Sequence, residues 1–130
     1  MFGRGETVLV VEDEFLVRDM IAEELRDAGF AVLEAGDGET AARILNSPDR
    51  IDILFTDIRL PGTLDGWEVA RLARRARATL PVIYATGYTV DRMAEVPGSI
   101  FLHKPYEPSA IVATIRKLLE AKPASPTSPR

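Results

Sequence analysis

The chain has 130 residues, 46% of them hydrophobic and 28% charged, the proportions of one globular domain able to bury its own core. It contains no cysteine and one histidine, His103, which excludes disulfides, thiolate metal sites, cysteine nucleophiles and multi-histidine metal centres. Lys and Arg number 16 against 20 Asp and Glu, and the net charge of −4 gives no general pull toward nucleic acid or an anionic membrane surface.

The elements alternate in kind along the chain. Residues 7–11 are apolar and mostly β-branched, and predict a strand. This run is too short for a signal peptide and is closed at once by Glu12, Asp13 and Glu14. Residues 14–28 place Val17, Met20, Ile21, Leu25 and Ala28 on one helical face, with Gly29 where a helix ends. A strand at 31–35, a short helix at 39–46 and a strand at 53–56 follow. Next come a helix at 66–79, with Val69, Leu72, Ala73 and Ala76 on one face, and a strand at 82–86. Between Thr86 and Phe101 lie Gly87, Pro97 and Gly98, leaving room for a fourth helix of at most about two turns, short or frayed. A strand at 99–103 and a helix at 108–122, with Pro108 suited to its first turn, complete the pattern. Residues 122–130 hold Pro123, Pro126 and Pro129 among Ser, Thr and Ala, and read as a disordered tail following a single domain at 1–121. No run approaches the ~20 apolar residues that span a bilayer, so a soluble, cytoplasmic protein is expected.

Strands alternating with helices argue for a doubly wound α/β fold, a parallel sheet covered on both faces. Ligands of such sheets bind beyond the carboxyl ends of the strands, where the strand order reverses. Those ends carry Glu12-Asp13, Asp57, Thr86 and Lys104-Pro105. Carboxylates brought together there repel unless a cation joins them, and hard oxygen donors suit Mg²⁺. An aspartate so neutralised can attack phosphorus, while a lysine and a threonine hydroxyl bind phosphoryl oxygens. The set reads as a site for phosphoryl transfer onto an aspartate.

These residues, in the runs Leu9-Val10-Val11-Glu12-Asp13-Glu14, Thr56-Asp57-Ile58-Arg59-Leu60-Pro61, Asp65-Gly66, Ala85-Thr86-Gly87 and Leu102-His103-Lys104-Pro105-Tyr106, resemble the receiver domain of bacterial two-component response regulators. The likeness covers residues 8–120. It implies a flavodoxin-like fold with five parallel strands in the order 2-1-3-4-5. It implies Asp57 as phosphoacceptor, and Mg²⁺ held by Glu12, Asp13, Asp57 and the backbone carbonyl of Arg59. Thr86 and Lys104 would bind the phosphoryl group, and Thr86 and Phe101 would act as switch residues. Arg59 and Tyr88, each two residues past a site residue, would overhang the phosphoryl group and control water access.

The expected partners are a sensor histidine kinase or a histidine phosphotransfer protein, and a downstream protein target, with a homodimer left open. The expected role is a stand-alone phosphorylation switch that is not itself an enzyme beyond its own phosphorylation and dephosphorylation. The sequence departs from the family pattern in a loop one residue longer between Asp57 and Asp65, and in phenylalanine rather than tyrosine at 101.

Three other readings are weaker. A phosphatase working through an aspartyl phosphate wants a second carboxylate two residues past the nucleophile, where Arg59 stands. A mononucleotide binder wants a Gly/Ser/Thr-rich loop after the first strand, where Glu12-Asp13-Glu14 stands. A degenerate receiver, acting only as a protein-binding module, is disfavoured by the intact Asp13, Asp57, Thr86 and Lys104. Elsewhere, Arg71, Arg74, Arg75 and Arg77 form a basic helix face, read as a solvated surface with an acidic docking partner as the alternative. Tyr106 is expected as a core or rim aromatic and His103 as a partly exposed strand residue.

Overall fold

A computed structural model describes residues 5–87 and 94–121. Five strands, β1 (Thr7–Val11), β2 (Ala31–Ala35), β3 (Ile53–Asp57), β4 (Val82–Thr86) and β5 (Ile100–His103), form one sheet in the order β2-β1-β3-β4-β5. Every pairing is parallel. Four helices are described, α1 (Phe15–Asp27), α2 (Gly38–Leu45), α3 (Gly66–Ala76) and α4 (Pro108–Ala121).

The sheet has the expected order because its central strands are apolar throughout. All five positions of β1, β3 and β4 are buried, as parallel strands covered on both faces require. Alternate residues feed two cores. Leu9, Val11, Leu54, Val82 and Tyr84 meet α2 and α3 on one side, while Val8, Val10, Ile53, Phe55 and Ile83 meet α1 and α4 on the other.

The helix ends follow from local chemistry. Gly29, at φ +98°, lets α1 close with Phe30 N–H donating to the Leu25 carbonyl and Gly29 N–H to that of Arg26, a C-terminal motif that L side chains resist. Asp37 caps α2 by accepting from Thr40 N–H at 2.7 Å. At α3, the Asp65 carboxylate accepts from Glu68 N–H and the Glu68 carboxylate from Asp65 N–H, both at 2.9 Å, a reciprocal capping box.

Three expectations are corrected. Met20 does not share the buried stripe of α1; it is 46% exposed, and Ile21, Ala22 and Leu25 carry the buried face. Helix α3 stops at Ala76, short of residue 79, because Arg77 leaves helical geometry at φ −142°, ψ 87°. Arg77 there donates to the Leu45 and Ser47 carbonyls at 3.2 and 2.9 Å, satisfying the carboxyl end of α2. Arg74 likewise donates to the Leu80 carbonyl at 2.7 Å, so two members of the expected basic face are internal fasteners. The expected fourth helix falls largely on residues 88–93, and the expected tail on 122–130; both segments lie outside the described residues, and residues 94–99 contain no α-helix.

Candidate functional site

The carboxyl ends of β1, β3, β4 and β5 converge on one cleft of about 290 Å³, lined by Glu12, Asp13, Asp57, Arg59, Thr86 and Lys104 among others. The convergence is set by the sheet. Glu12 N–H donates to the Ala35 carbonyl at 3.0 Å, Ile58 N–H to Ala85 at 3.3 Å and Lys104 N–H to Thr86 at 2.8 Å. Each bond ends a ladder, and at these ends Glu12, Asp57, Thr86 and Lys104 line the cleft.

Glu12 is 1% exposed. One carboxylate oxygen accepts from Glu14 N–H at 2.9 Å, which satisfies a donor just ahead of α1. The other, Oε1, has no hydrogen-bond partner and lies 3.6 Å from the Lys104 ammonium. Asp57, also buried, places Oδ1 3.1 Å from the same ammonium. Asp13 is exposed at the mouth, and the carboxylates of Glu12, Asp13 and Asp57 offer oxygens within 4.8 Å of one another.

Burial and the adjacent Glu12 carboxyl push the Asp57 carboxyl up to about 8, against the pull of Lys104. At Lys104 burial works downward, but the Asp57 and Glu12 carboxylates outweigh it and hold the ammonium above its usual value. The pocket therefore holds more negative charge than one lysine balances. Gly66 is required where it stands: its N–H donates to the Ile58 carbonyl at 2.7 Å, and a Cβ there would collide with the Asp57 carbonyl.

The expected residues divide by position. Glu12, Asp13, Asp57, Thr86 and Lys104 meet at the cleft, and Arg59 lines it from the loop after β3. The Lys104-Pro105 peptide bond is cis. Phe101 is set back in an aromatic group, its ring centroid 5.1 Å from Tyr84 and 5.8 Å from Trp67. Tyr106 packs edge-on against Phe55 at 6.2 Å beside the site, and His103 is exposed. Tyr88 lies outside the described residues.

Two supporting residues were not marked by the sequence pattern. Arg18, one turn into α1, donates to the Glu12 carbonyl at 2.8 Å, pairs with Glu34 at 3.3 Å and lies over the Phe15 ring. Tyr84, buried in β4, accepts from Val96 N–H at 3.1 Å and so ties the approach to β5 to the strand that ends in Thr86. Each contact joins segments whose pairing only the folded chain reveals, and an arginine in a helix or a tyrosine in a strand carries no local signal of it.

The donor set fits a hard divalent cation. Three carboxylates, one with an orphaned buried oxygen, offer oxygen ligands only, and excess negative charge awaits compensation.

The chain belongs to the response regulator receiver domain family, whose profile matches residues 8–116. It is 35% identical to a response regulator receiver protein from Sinorhizobium medicae, with a TM-score of 0.85 over 90% of this chain and 96% of that one. It is 25% identical to the receiver domain of the sensor histidine kinase PA1611 from Pseudomonas aeruginosa, solved with magnesium coordinated in the active-site cleft; the TM-score is 0.80 over 90% and 99% of the two chains. It is also 34% identical to the alkaline phosphatase synthesis transcriptional regulatory protein SphR of Synechococcus elongatus, over 92% of this chain and 51% of that protein. The chain spans about half the length of the first curated relatives it matches. It is thus a receiver domain of two-component response regulators, with a flavodoxin-like sheet. No described helix is long and apolar enough to cross a membrane.

Proposed function

We propose that Asp57 accepts a phosphoryl group from a phosphohistidine of a sensor kinase or histidine phosphotransfer protein, and that the resulting acyl phosphate changes the surface offered to a downstream protein. The observation that carries this reading is the placement of Asp57: a buried carboxyl at the open end of the sheet, 3.1 Å from the Lys104 ammonium and clustered with Glu12 and Asp13. An Asp57 oxygen bonds to phosphorus as the phosphorus–nitrogen bond of the donor breaks, and the released imidazole leaves with the electron pair and takes up a proton.

Glu12, Asp13, Asp57 and the Arg59 carbonyl are the groups that would hold Mg²⁺, which when bound offsets carboxylate repulsion and the charge on the phosphoryl oxygens. Lys104, already directed at Asp57, pairs with a phosphoryl oxygen once the carboxylate is phosphorylated, and the Thr86 hydroxyl takes another. Drawing Thr86 inward frees space on the side where Tyr84, Phe101 and Trp67 pack, and Phe101 is the residue placed to use it. Arg59, exposed at the rim, screens the acyl phosphate from water; Tyr88 is assigned the same part from sequence alone.

The test is intact mass after incubation with Mg²⁺ and a small-molecule phosphodonor such as phosphoramidate. The chain should gain one phosphoryl group, and Asp57→Asn should gain none. An equal gain in Asp57→Asn would move the acceptor elsewhere.

A further inference from the structure

The loop that carries Arg59 is held at its tip by a helix that contributes nothing to the cleft itself. Its base is closed by the Gly66 N–H bond to the Ile58 carbonyl and the Ile58 N–H bond to Ala85. Between these anchors residues 59–65 would explore many conformations if nothing else restrained them, and fixing them costs chain entropy. The restraint comes from Glu39 in the first turn of α2. Its Oε2 accepts from Thr63 N–H at 2.9 Å and also from the Thr63 hydroxyl, across 24 residues of sequence.

Two glycines make the approach feasible. Gly62 adopts φ +89°, and a Cβ there would lie 2.8 Å from Glu39 Oε1. Gly38 sits under Leu64, whose carbonyl oxygen would be 2.5 Å from any Cβ at that position. Leu60 and Leu64 meanwhile pack against the core beneath α2 and α3. The bonded carboxylate, the two glycines and the two leucines all serve one end: they press residues 60–64 against α2.

We propose that Glu39 is a positioning residue for the cleft, latching the tip of the β3–α3 loop through Thr63 so that the Arg59 carbonyl is held where a divalent cation is bound. This rests on the reading of Glu12, Asp13, Asp57 and Arg59 as the cation's ligands. Groups that orient a ligand without touching the metal commonly change metal affinity by about 10-fold or more when removed.

The experiment compares wild type, Glu39→Ala, Glu39→Gln and Thr63→Ala. Backbone hydrogen exchange of residues 59–65 is read without metal, and Mg²⁺ affinity is read by isothermal titration calorimetry. Glu39→Ala should exchange the Thr63 amide about 10-fold faster and weaken Mg²⁺ binding by about 5- to 10-fold, while Glu39→Gln, which keeps an acceptor, stays within about 2-fold of wild type. Thr63→Ala, an exposed change that the fold tolerates, should move both readouts in the same direction by a smaller factor. Unchanged exchange in Glu39→Ala, or faster exchange with Mg²⁺ affinity within about 2-fold of wild type, overturns the positioning role. A wild-type chain that shows no Mg²⁺ response removes the reading of the cleft and the latch with it; a wild-type response left intact in Glu39→Ala removes the latch alone.

Discussion

Asp57 is held between two demands. As a buried carboxyl beside Glu12 it favours its proton, and its pKa rises to about 8; as the phosphoacceptor proposed above it must be ionised. In the unfolded chain it titrates near its ordinary value of 3.8. Between those two values the metal-free native state binds a proton that the unfolded state has lost. The contribution is therefore fully present below the unfolded value and is lost as pH rises through the folded one, at up to about 1.4 kcal/mol per pH unit. Thermal melts in chelator should show stability falling from about pH 5 to 8, and Asp57→Asn should flatten that slope. An unchanged slope in Asp57→Asn would assign it to another group. At this scale the positions of Asp57 and its charged neighbours were legible because each sits at the end of an apolar run, where alternation of strand and helix places it on the rim. Arg18, Glu39 and Tyr84 were not, because their partners Glu12, Thr63 and Val96 are reached through tertiary packing that no spacing encodes.

Elements here are joined by side chains that satisfy another element's backbone. Arg77 ends α3 and closes α2 with one guanidinium. Tyr84 does the same between β4 and the chain entering β5, and its ring packs on Trp67 at 4.8 Å from α3. Tyr84→Phe keeps the ring and removes the acceptor, leaving the Val96 N–H unsatisfied in a buried place, which costs about 1–3 kcal/mol. Urea unfolding should show that loss with an unchanged m-value, and exchange at Val96 should quicken more than at β1. Periodicity located all nine described elements to within a few residues, because apolar spacing records which face is buried. It failed at Met20, where helical spacing matched but the face had turned to solvent, and at the end of α3, where a distant pair of carbonyls draws Arg77 out of the helix.

At the level of the molecule, the cleft exists only when the whole sheet is paired. Glu12, Asp57, Thr86 and Lys104 come from four strands, and no shorter piece unites them. A cation bound there binds the native state alone, so Mg²⁺ at about 100 times its dissociation constant should add about 2.7 kcal/mol of stability and raise the melting temperature by roughly 10 °C. Asp13→Ala should abolish the increment while barely altering the metal-free melt, since Asp13 is exposed and outside both cores. A melt indifferent to millimolar Mg²⁺ in the wild type would contradict this.

The ladder ends at Glu12, Ile58 and Lys104 also act as a gauge. A strand advances about 3.3 Å per residue and turns its side chains to the opposite face at each step. Inserting or deleting one residue within β1, β3 or β5 would therefore not shift a functional group slightly; it would turn that group away from the cleft and present a neighbour of different chemistry in its place. Extra length can be absorbed where no ladder counts residues, as between Pro61 and Asp65. The rim of the sheet is the part of the chain where spacing admits no error, and the loops beyond it are where length has room to vary.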